Sequence, residues 1–354
     1  MPDPVQHVSI VGDGAMATVM ALLLESRGLR VTMWGPTPDH VADAIQTREN
    51  RRYLPGHPLP NNIRLTADDA ACFRDAQLIV SAIPTQFVRG VWTRLAPHAP
   101  ADVPIVSVAK GIEQDTILRP TQIIADVLKT HADAEPQSGE ASGIPQPPPP
   151  LAALSGPSVA DELAKCLPAT VAAASDDPDL AERIQQTFTT QWFRVYTNPD
   201  LLGVELAGAL KNVIAVAAGI LDGLQAGNNA KSALLSRGLA EITRLGTAMG
   251  ANAETFFGLT GVGDLATTCF SPTGRNRTAG EQLGKGQKLD VVLESIPGVV
   301  EGVPTTRAVV ALAERHGVEM PITHAVHDVL FRGLDPLDAI SRLMSREPKT
   351  ERVG

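Results

Sequence analysis

The chain has 354 residues, of which 44% are hydrophobic, so it can form two domains with buried cores. Its net charge of −9 and its scattered basic residues argue against a nucleic-acid surface and against a polybasic membrane anchor. Cys72, Cys166 and Cys269 lie far apart, which is typical of a reducing cytoplasm and gives no spacing for metal ligands. We find no apolar run that we expect to span a bilayer and no export signal, so a cytoplasmic enzyme is the expected class.

The first half of the chain alternates short β-rich runs with segments of helical period. Runs that are apolar on both faces and are separated by helices are typical of a parallel sheet. We therefore predict an α/β fold that begins with a Rossmann-type, doubly wound, mostly parallel sheet. The predicted strands are residues 8–12, 30–34, 78–84, 104–110, 151–156 and 169–175.

The composition and the periodicity of the chain change at two further points. Residues 131–150 are rich in proline and polar residues and cannot bury a core, so we predict a surface excursion of partly polyproline II character. From about residue 198 the pattern becomes long helical segments punctuated by glycine and proline. The sequence thus predicts a Rossmann-type domain over residues 1–197, an all-α domain over residues 198–345 and a tail over residues 346–354.

The turn after the first predicted strand carries the pattern G-x-G-x-x-A at Gly12, Gly14 and Ala17. Gly12 permits a tight turn, Gly14 lets backbone N–H groups approach a pyrophosphate, and Ala17 allows close packing of helix on strand. The N-terminus of the following helix adds positive partial charge. This context predicts dinucleotide binding. Residues 35–37 after the second strand offer neither an acidic side chain for a ribose 2′-hydroxyl nor an arginine for a 2′-phosphate, so the choice between NAD and NADP stays open.

Residues 201–224 are apolar on every face of a helix and carry one lysine, Lys211, in the middle. Such a helix belongs in a core, where burial disfavours an ammonium and lowers its pKa, as a general base near neutral pH requires. The alternative is an ammonium that reaches solvent or pairs with Glu205. Glu205 lies six positions away and therefore on a different face of the helix.

Four further polar groups interrupt the apolar segments. Lys110 follows a predicted strand, so it could lie at the sheet edge where open α/β folds bind ligands. The alternative is a lysine that is simply solvated at the end of a strand. Residues 155–158 form a tight turn, and its hydroxyl and N–H groups could contact a small polar substrate. The alternative is that these groups only stabilise the turn itself. Asp264 places a carboxylate in a glycine-rich turn, where it could hold an ammonium or cap a helix. Residues 274–277 combine a guanidinium with an amide, which suits a phosphate, or form a solvated basic loop.

The order of these motifs resembles the bacterial NAD(P)-dependent glycerol-3-phosphate dehydrogenases from residue 8 to about residue 339. The resemblance is carried by GDGAMA, SAIPTQ, SVAKGIE, LSGPSVA, ELAGALKNVIAVAAGILDGLQAGNN, GLTGVGDLATTC, GRN and VVEGVPTT. It implies reversible hydride transfer between NAD or NADP and C2 of sn-glycerol 3-phosphate, which gives dihydroxyacetone phosphate. It also implies a supply of glycerol 3-phosphate for phospholipid synthesis, a cytoplasmic location and a tendency to form a homodimer.

The resemblance implies roles for individual residues, with an NAD(P)-binding first domain and a substrate-binding, catalytic second domain. The catalytic set is Lys211, which exchanges a proton with the C2 hydroxyl, together with Lys110 and Asp264. The implied substrate-binding residues are Lys110, Gly156, Ser158, Lys211, Asp264, Gly274, Arg275 and Asn276. The implied cofactor-binding residues are Gly12, Gly14, Ala15, Met16, Ala17, Lys110, Ala160, Arg275, Val299 and Glu301.

The chain departs from the family pattern at several of these positions. Residues 15–17 replace a serine, an aromatic residue and a glycine, and Gly274 replaces a serine. Pro36 stands where a basic residue often follows the second strand, and His40 or Arg48 could substitute for it. Two alternatives stay open: a related two-domain Rossmann dehydrogenase that acts on another small hydroxy acid, and a catalytically weak nicotinamide-binding regulatory protein.

Overall fold

The fold is described from a computed structural model, which describes residues 4–134, 148–348 and 350–351. The chain forms two compact units. Unit 1 comprises Met1–Ala109, Pro120–Leu154 and Ser158–Leu201, and unit 2 comprises Lys110–Arg119, Ser155–Pro157 and Leu202–Gly354. Two short segments from the first half of the chain therefore belong to unit 2. The predicted domain limits, residues 1–197 and 198–345 with a tail from 346, stay a prediction.

Unit 1 is built on an eight-stranded sheet with the strand order β3-β2-β1-β4-β5-β6-β7-β8. The pairs β1–β2, β1–β4, β2–β3, β4–β5, β5–β6 and β7–β8 are parallel. This confirms the predicted fold class. The strands are β1 His7–Val11, β2 Arg30–Trp34, β3 Ile63–Thr66, β4 Leu78–Ser81, β5 Ile105–Ser107, β6 Leu151–Ser155, β7 Ala169–Ala174 and β8 Phe193–Asn198.

The sequence prediction missed both edge strands of this sheet. β3 has only four residues and carries an exposed arginine, and β8 alternates buried and exposed side chains. A search for runs that are apolar on both faces finds central strands and passes over edges of this kind. The predicted strand over residues 104–110 is also too long, because β5 ends at Ser107.

Seven α-helices accompany the sheet among the described residues of unit 1. These helices are α1 Ala15–Ser26, α2 Pro38–Thr47, α3 Asp69–Cys72, α4 Thr85–Leu95, α5 Pro120–Ala134, α6 Ala160–Ala164 and α7 Pro178–Phe188. Helices α1, α2, α6 and α7 pack apolar side chains into one core with the strands, as the sequence period requires. The predicted excursion over residues 131–150 is wrong at its start, because residues 131–134 form the last turn of α5. Its central part, residues 135–147, lies outside the described residues.

Unit 2 is helical throughout its described secondary structure, as predicted. One π-helical turn, Leu259–Gly263, leads directly into α11. The helices are α8 Leu201–Gly223, α9 Gly227–Ala248, α10 Ala253–Phe257, α11 Asp264–Phe270, α12 Arg275–Gly284, α13 Leu289–Ser295, α14 Gly302–His316, α15 Pro321–Phe331 and α16 Pro336–Met344.

Helix α8 forms the centre of the core of unit 2. Its apolar residues from Leu206 to Ile220 are buried among side chains of the other helices. The expectation that no apolar run could span a bilayer is wrong by length and composition, because α8 has 23 residues and contains an 18-residue window with a mean hydropathy of 1.7. However, 94% of that apolar stretch is buried inside the protein, which is typical of a core helix.

Helices α8 and α12 approach each other through glycines. A Cβ atom added to Gly219 or Gly223 of α8 would overlap the backbone of α12, and one added to Gly280 or Gly284 would overlap the backbone of α8. The glycines are spaced by four residues on both helices, so they form one stripe on each. This close approach fixes the N-terminus of α12, which begins at Arg275.

We predict that Gly280→Ala lowers the free energy of unfolding by about 1–3 kcal/mol or more, because the new methyl group would overlap the Val216 carbonyl oxygen. The control is Gly90→Ala on α4, where an added Cβ meets no atom within 4 Å. That change is expected to leave stability equal or to raise it by about 0.5–1 kcal/mol. Denaturant unfolding of both variants makes the comparison, and equal stabilities would contradict the close helix contact.

Candidate active site

The glycine turn of unit 1 has the geometry that the sequence predicts. Gly12 has φ +122°, and a Cβ atom there would lie 2.7 Å from the Ala82 carbonyl oxygen, so the position requires glycine. Gly14 is the N-cap of α1, and no side chain of the described residues caps that N-terminus. A Cβ added to Gly14 would meet nothing within 4 Å. The turn therefore leaves space and free N–H groups for a pyrophosphate, and these residues fit a dinucleotide.

The neighbouring residues of the predicted cofactor set occupy the start of two helices in unit 1. Ala15 and Met16 begin α1 and are half-buried, whereas Ala17 is fully buried in the core. Ala160 begins α6 and packs against the same core, and Ser158 lies half-buried just before it. Ser158 and Ala160 thus belong to unit 1, while Gly156 belongs to unit 2.

Unit 2 holds a cluster of two lysines on one carboxylate. Lys211 Nζ donates to Oδ1 of Asp264 at 2.5 Å, and Lys110 Nζ donates to Oδ2 at 2.8 Å. Lys110 Nζ also donates to the Gly156 carbonyl oxygen at 2.8 Å. The side chains of Asp264 and Lys211 are only 2% and 7% exposed. The structure therefore brings together four predicted site residues, and Asp264 binds ammonium groups rather than capping a helix.

The pKa of Lys211 is lowered to about 8. Burial is the main cause, the carboxylate of Asp264 opposes the lowering, and the ammonium of Lys110 adds to it. Lys211 also donates to Thr268 Oγ1. The alternative interpretation of Lys211 is wrong, because its ammonium is buried and Glu205 accepts instead from Arg119. A lysine with this pKa can exchange a proton near neutral pH.

A chain of amide hydrogen bonds extends from the lysine cluster toward α12 and α14. Asn212 Nδ2 donates to the Lys110 carbonyl oxygen at 2.8 Å. Asn276 Nδ2 donates to Asn212 Oδ1 at 2.9 Å, and Asn276 Oδ1 accepts from the Gly302 N–H at 2.9 Å. The backbone of Lys110 and the start of two helices are therefore held in one network.

The remaining predicted residues lie beside Asn276. Gly274 is the N-cap of α12, and no described side chain caps this helix, so its first N–H groups point away from the helix unbonded to a side chain. Arg275 lies against Gly298, where a Cβ atom would come within 2.8 Å of Nη1. The Glu301 carboxylate interacts electrostatically with the Arg275 guanidinium. Val299, between Gly298 and Glu301, is half-buried.

Two residues of the cluster were absent from the predicted site. Thr268 lies four residues after Asp264 on α11, and Asn212 follows Lys211 on α8. The i, i+4 spacing from Asp264 is a signal that could have identified Thr268 once a helix was assumed. The sequence prediction placed Asp264 in a turn, and in a turn this spacing carries no such information.

Comparisons with known proteins show the family of this chain. Residues 7–181 and 200–341 match the models of the N-terminus and C-terminus of NAD-dependent glycerol-3-phosphate dehydrogenase. Glycerol-3-phosphate dehydrogenase [NAD(P)+] of Pelotomaculum thermopropionicum is 44% identical over 96% of this chain and 93% of its own. The Geobacillus kaustophilus protein of the same name is 45% identical over 98% of this chain and 96% of its own length. The crystal structure of glycerol-3-phosphate dehydrogenase from Coxiella burnetii has a TM-score of 0.88 and 35% identity, covering 97% and 99%.

We predict that removing the carboxylate destabilises unit 2 more than removing Lys211. Asp264→Asn leaves two lysines without their shared anion, a loss that typically costs about 3–5 kcal/mol for a buried pair. Lys211→Met keeps the side-chain volume and leaves Asp264 paired with Lys110, so we expect a change within about 1.5 kcal/mol. Thermal and urea unfolding of the two variants makes the measurement, and a larger loss for Lys211→Met would contradict this description of the charges.

Proposed function

The chain belongs to the NAD-dependent glycerol-3-phosphate dehydrogenase family, and on this premise we propose that it interconverts dihydroxyacetone phosphate and sn-glycerol 3-phosphate. The observation that carries the proposal is the buried Lys110–Asp264–Lys211 cluster. It supplies a lysine that can lose a proton, and it lies in one network with Asn276, which follows Arg275. These are the groups that a phosphorylated alcohol and its ketone require.

Lys211 is the proposed general acid and base. In the oxidation direction its neutral amine accepts the proton of the C2 hydroxyl, and in the reduction direction its ammonium returns that proton. Asp264 fixes the position of Nζ through a direct hydrogen bond, and Thr268 accepts a second one. A nicotinamide cofactor, which the residues of the glycine turn would hold, would accept or supply the hydride. Because Lys211 is buried, its amine exchanges a proton directly with the bound substrate, and that proton equilibrates with solvent between turnovers, as the net release of one proton in the oxidation requires.

The substrate is proposed to bind through its oxygen atoms and its phosphate. Lys110, which donates to Asp264 and to the Gly156 carbonyl oxygen, is proposed to donate to the substrate and to the cofactor as well. Gly274, Arg275 and Asn276 at the start of α12 combine N–H groups, a guanidinium and an amide, which is the donor set for a phosphate monoester. Ser158 is proposed as a further substrate contact.

The cofactor is proposed to bind at the glycine turn of unit 1. Backbone N–H groups of the turn and of the first turn of α1 would contact the pyrophosphate. The residues proposed to hold it are Gly12, Gly14, Ala15, Met16, Ala17, Lys110, Ala160, Arg275, Val299 and Glu301. The family supports NAD or NADP without fixing the preference.

The wider setting is proposed from family membership. We expect a cytoplasmic homodimer that supplies glycerol 3-phosphate for phospholipid synthesis. The buried position of α8 is consistent with the absence of membrane insertion.

The first experiment is the decay of nicotinamide absorbance when purified protein meets dihydroxyacetone phosphate with NADH, and separately with NADPH. We expect oxidation with at least one cofactor, and a loss of at least about 100-fold when dihydroxyacetone replaces its phosphate. Lys211→Ala is expected to lower turnover by about 10²–10⁴-fold while cofactor affinity stays nearly unchanged. Comparable turnover without the phosphate, or in Lys211→Ala, would overturn the substrate or the role of Lys211.

The two directions are expected to depend oppositely on pH. Because the pKa of Lys211 is lowered to about 8, the neutral amine that oxidation needs becomes dominant above that pH. Oxidation of glycerol 3-phosphate should therefore rise about tenfold per pH unit below pH 8 and level off above it. Reduction of dihydroxyacetone phosphate needs the ammonium and should fall above pH 8. Rate measurements across pH in both directions test this prediction. If the residual activity of Lys211→Ala showed the same change in rate near pH 8, the pH dependence would belong to another group.

A further inference from the structure

The end of β2 lacks a charged side chain of its own. In doubly wound folds a residue near this point reads the ribose 2′ position of the dinucleotide, with a carboxylate for a hydroxyl or an arginine for a phosphate. Here β2 ends at Trp34 and is followed by Gly35, Pro36 and Thr37. The sequence alone therefore leaves the cofactor preference open.

In the structure a carboxylate from another segment occupies this place. A Cβ atom built on Gly35 would lie 2.6 Å from Oδ2 and 2.9 Å from Cγ of Asp13. Asp13 is the residue between the two glycines of the turn. Its carboxylate thus fills the volume that a side chain at position 35 would have, and it is 16% exposed. Asp13 of the glycine turn therefore places a carboxylate beside the end of β2, where the sequence after β2 has no acidic residue.

Two side chains contact Asp13 in this position, and a third packs against one of them. His40 Nδ1 contacts Oδ2 of Asp13 at 2.8 Å, and Asn50 Nδ2 donates to the Asp13 carbonyl oxygen at 2.7 Å. Tyr53 packs edge-on against His40, with ring centroids 5.3 Å apart. The His40 side chain is 10% exposed, and its Nε2 is buried without a hydrogen-bond partner among the described residues. A polar group of a ligand would satisfy this atom.

Two nearby arginines that could otherwise neutralise a 2′-phosphate are engaged elsewhere. Arg48 donates from Nε to the Leu59 carbonyl oxygen and from Nη2 to those of Pro60 and Ile63. Arg94 lies over the Trp34 ring, donates twice to the Asp69 carboxylate and once to the Pro36 carbonyl oxygen. Arg48 is therefore not the expected substitute for the basic residue that Pro36 replaces.

We propose that Asp13 reads the ribose 2′ position and makes the protein select NAD(H) over NADP(H), with His40 as its positioning residue. The carboxylate accepts a hydrogen bond from a 2′-hydroxyl and repels a 2′-phosphate, so it contributes to both sides of the discrimination. The inference rests on the proposed function, because it concerns the cofactor of that reaction.

The test measures binding rather than turnover, by titrating the unliganded protein with NADH and NADPH and following nicotinamide fluorescence. The wild type is expected to bind NADH more tightly. Asp13→Asn keeps the shape and removes the charge, so the ratio of the two Kd values should move toward NADPH by about fivefold or more, the factor for two unit charges about 4 Å apart even in water. His40→Ala should shift the ratio in the same direction by a smaller factor.

Asp39→Asn is the matched control. Asp39 is exposed on the first turn of α2, next to His40, so its substitution removes one charge nearby without touching Gly35. The ratio of Kd values should not move. An unchanged ratio in Asp13→Asn, or a loss of NADPH affinity confined to His40→Ala, would overturn the inference. If the wild type bound neither nucleotide, the proposed function would fail instead.

Discussion

One buried carboxylate that neutralises two ammonium groups is the interaction on which the rest of unit 2 depends. Asp264 bonds both Lys110 and Lys211, so the protonated cluster carries an excess positive charge in a place that water reaches poorly. Two responses are open to such a cluster. Burial is the main reason that Lys211 releases its proton more easily than a solvated lysine does, and the Lys110 ammonium adds to this effect. An anionic ligand that enters the site gains favourable electrostatic energy from the excess positive charge. The buried, positively charged cluster therefore favours both proton transfer and the binding of a phosphorylated substrate.

Helix α8 is the platform that keeps this imbalance in place. Asn212 binds the backbone at Lys110, and Glu205, seven residues earlier and hence two turns away on the same face, binds Arg119. The segment Lys110–Arg119 is thus fastened to one helix at both of its ends. Further along α8, the close glycine contact with α12 fixes the position of α12 along α8, and with it the position of Arg275 and Asn276 in the first turn of α12. A helix whose composition is typical of a core therefore carries Lys211 and contacts the segments that carry Lys110, Arg275 and Asn276.

The sequence predicted those features that local patterns encode. Central strands, the glycine turn and the buried lysine each follow from periodicity or from the cost of burying a charge, and the structure has all three. Strands β3 and β8 were missed because one is short with an exposed arginine and the other alternates buried and exposed side chains. Thr268 and Asn212 were missed because their contacts with the lysine cluster depend on the tertiary fold. The position of Asp13 beside Gly35 also depends on the tertiary fold and was not predicted. No spacing along the chain reveals that a turn residue fills the empty volume beside a glycine more than 20 positions away.

The membership of Lys110–Arg119 and Ser155–Pro157 in unit 2 has a consequence for how the protein is made and for how it can be recombined. A ribosome releases both segments before α8, so their contacts with α8 form only after a helix encoded about 50 to 90 residues later has been made. For the same reason a chimera joined at one splice point between the halves would combine the Lys110 segment of one parent with the α8 of another. The halves of this chain are consecutive in sequence, but unit 2 draws residues from both of them.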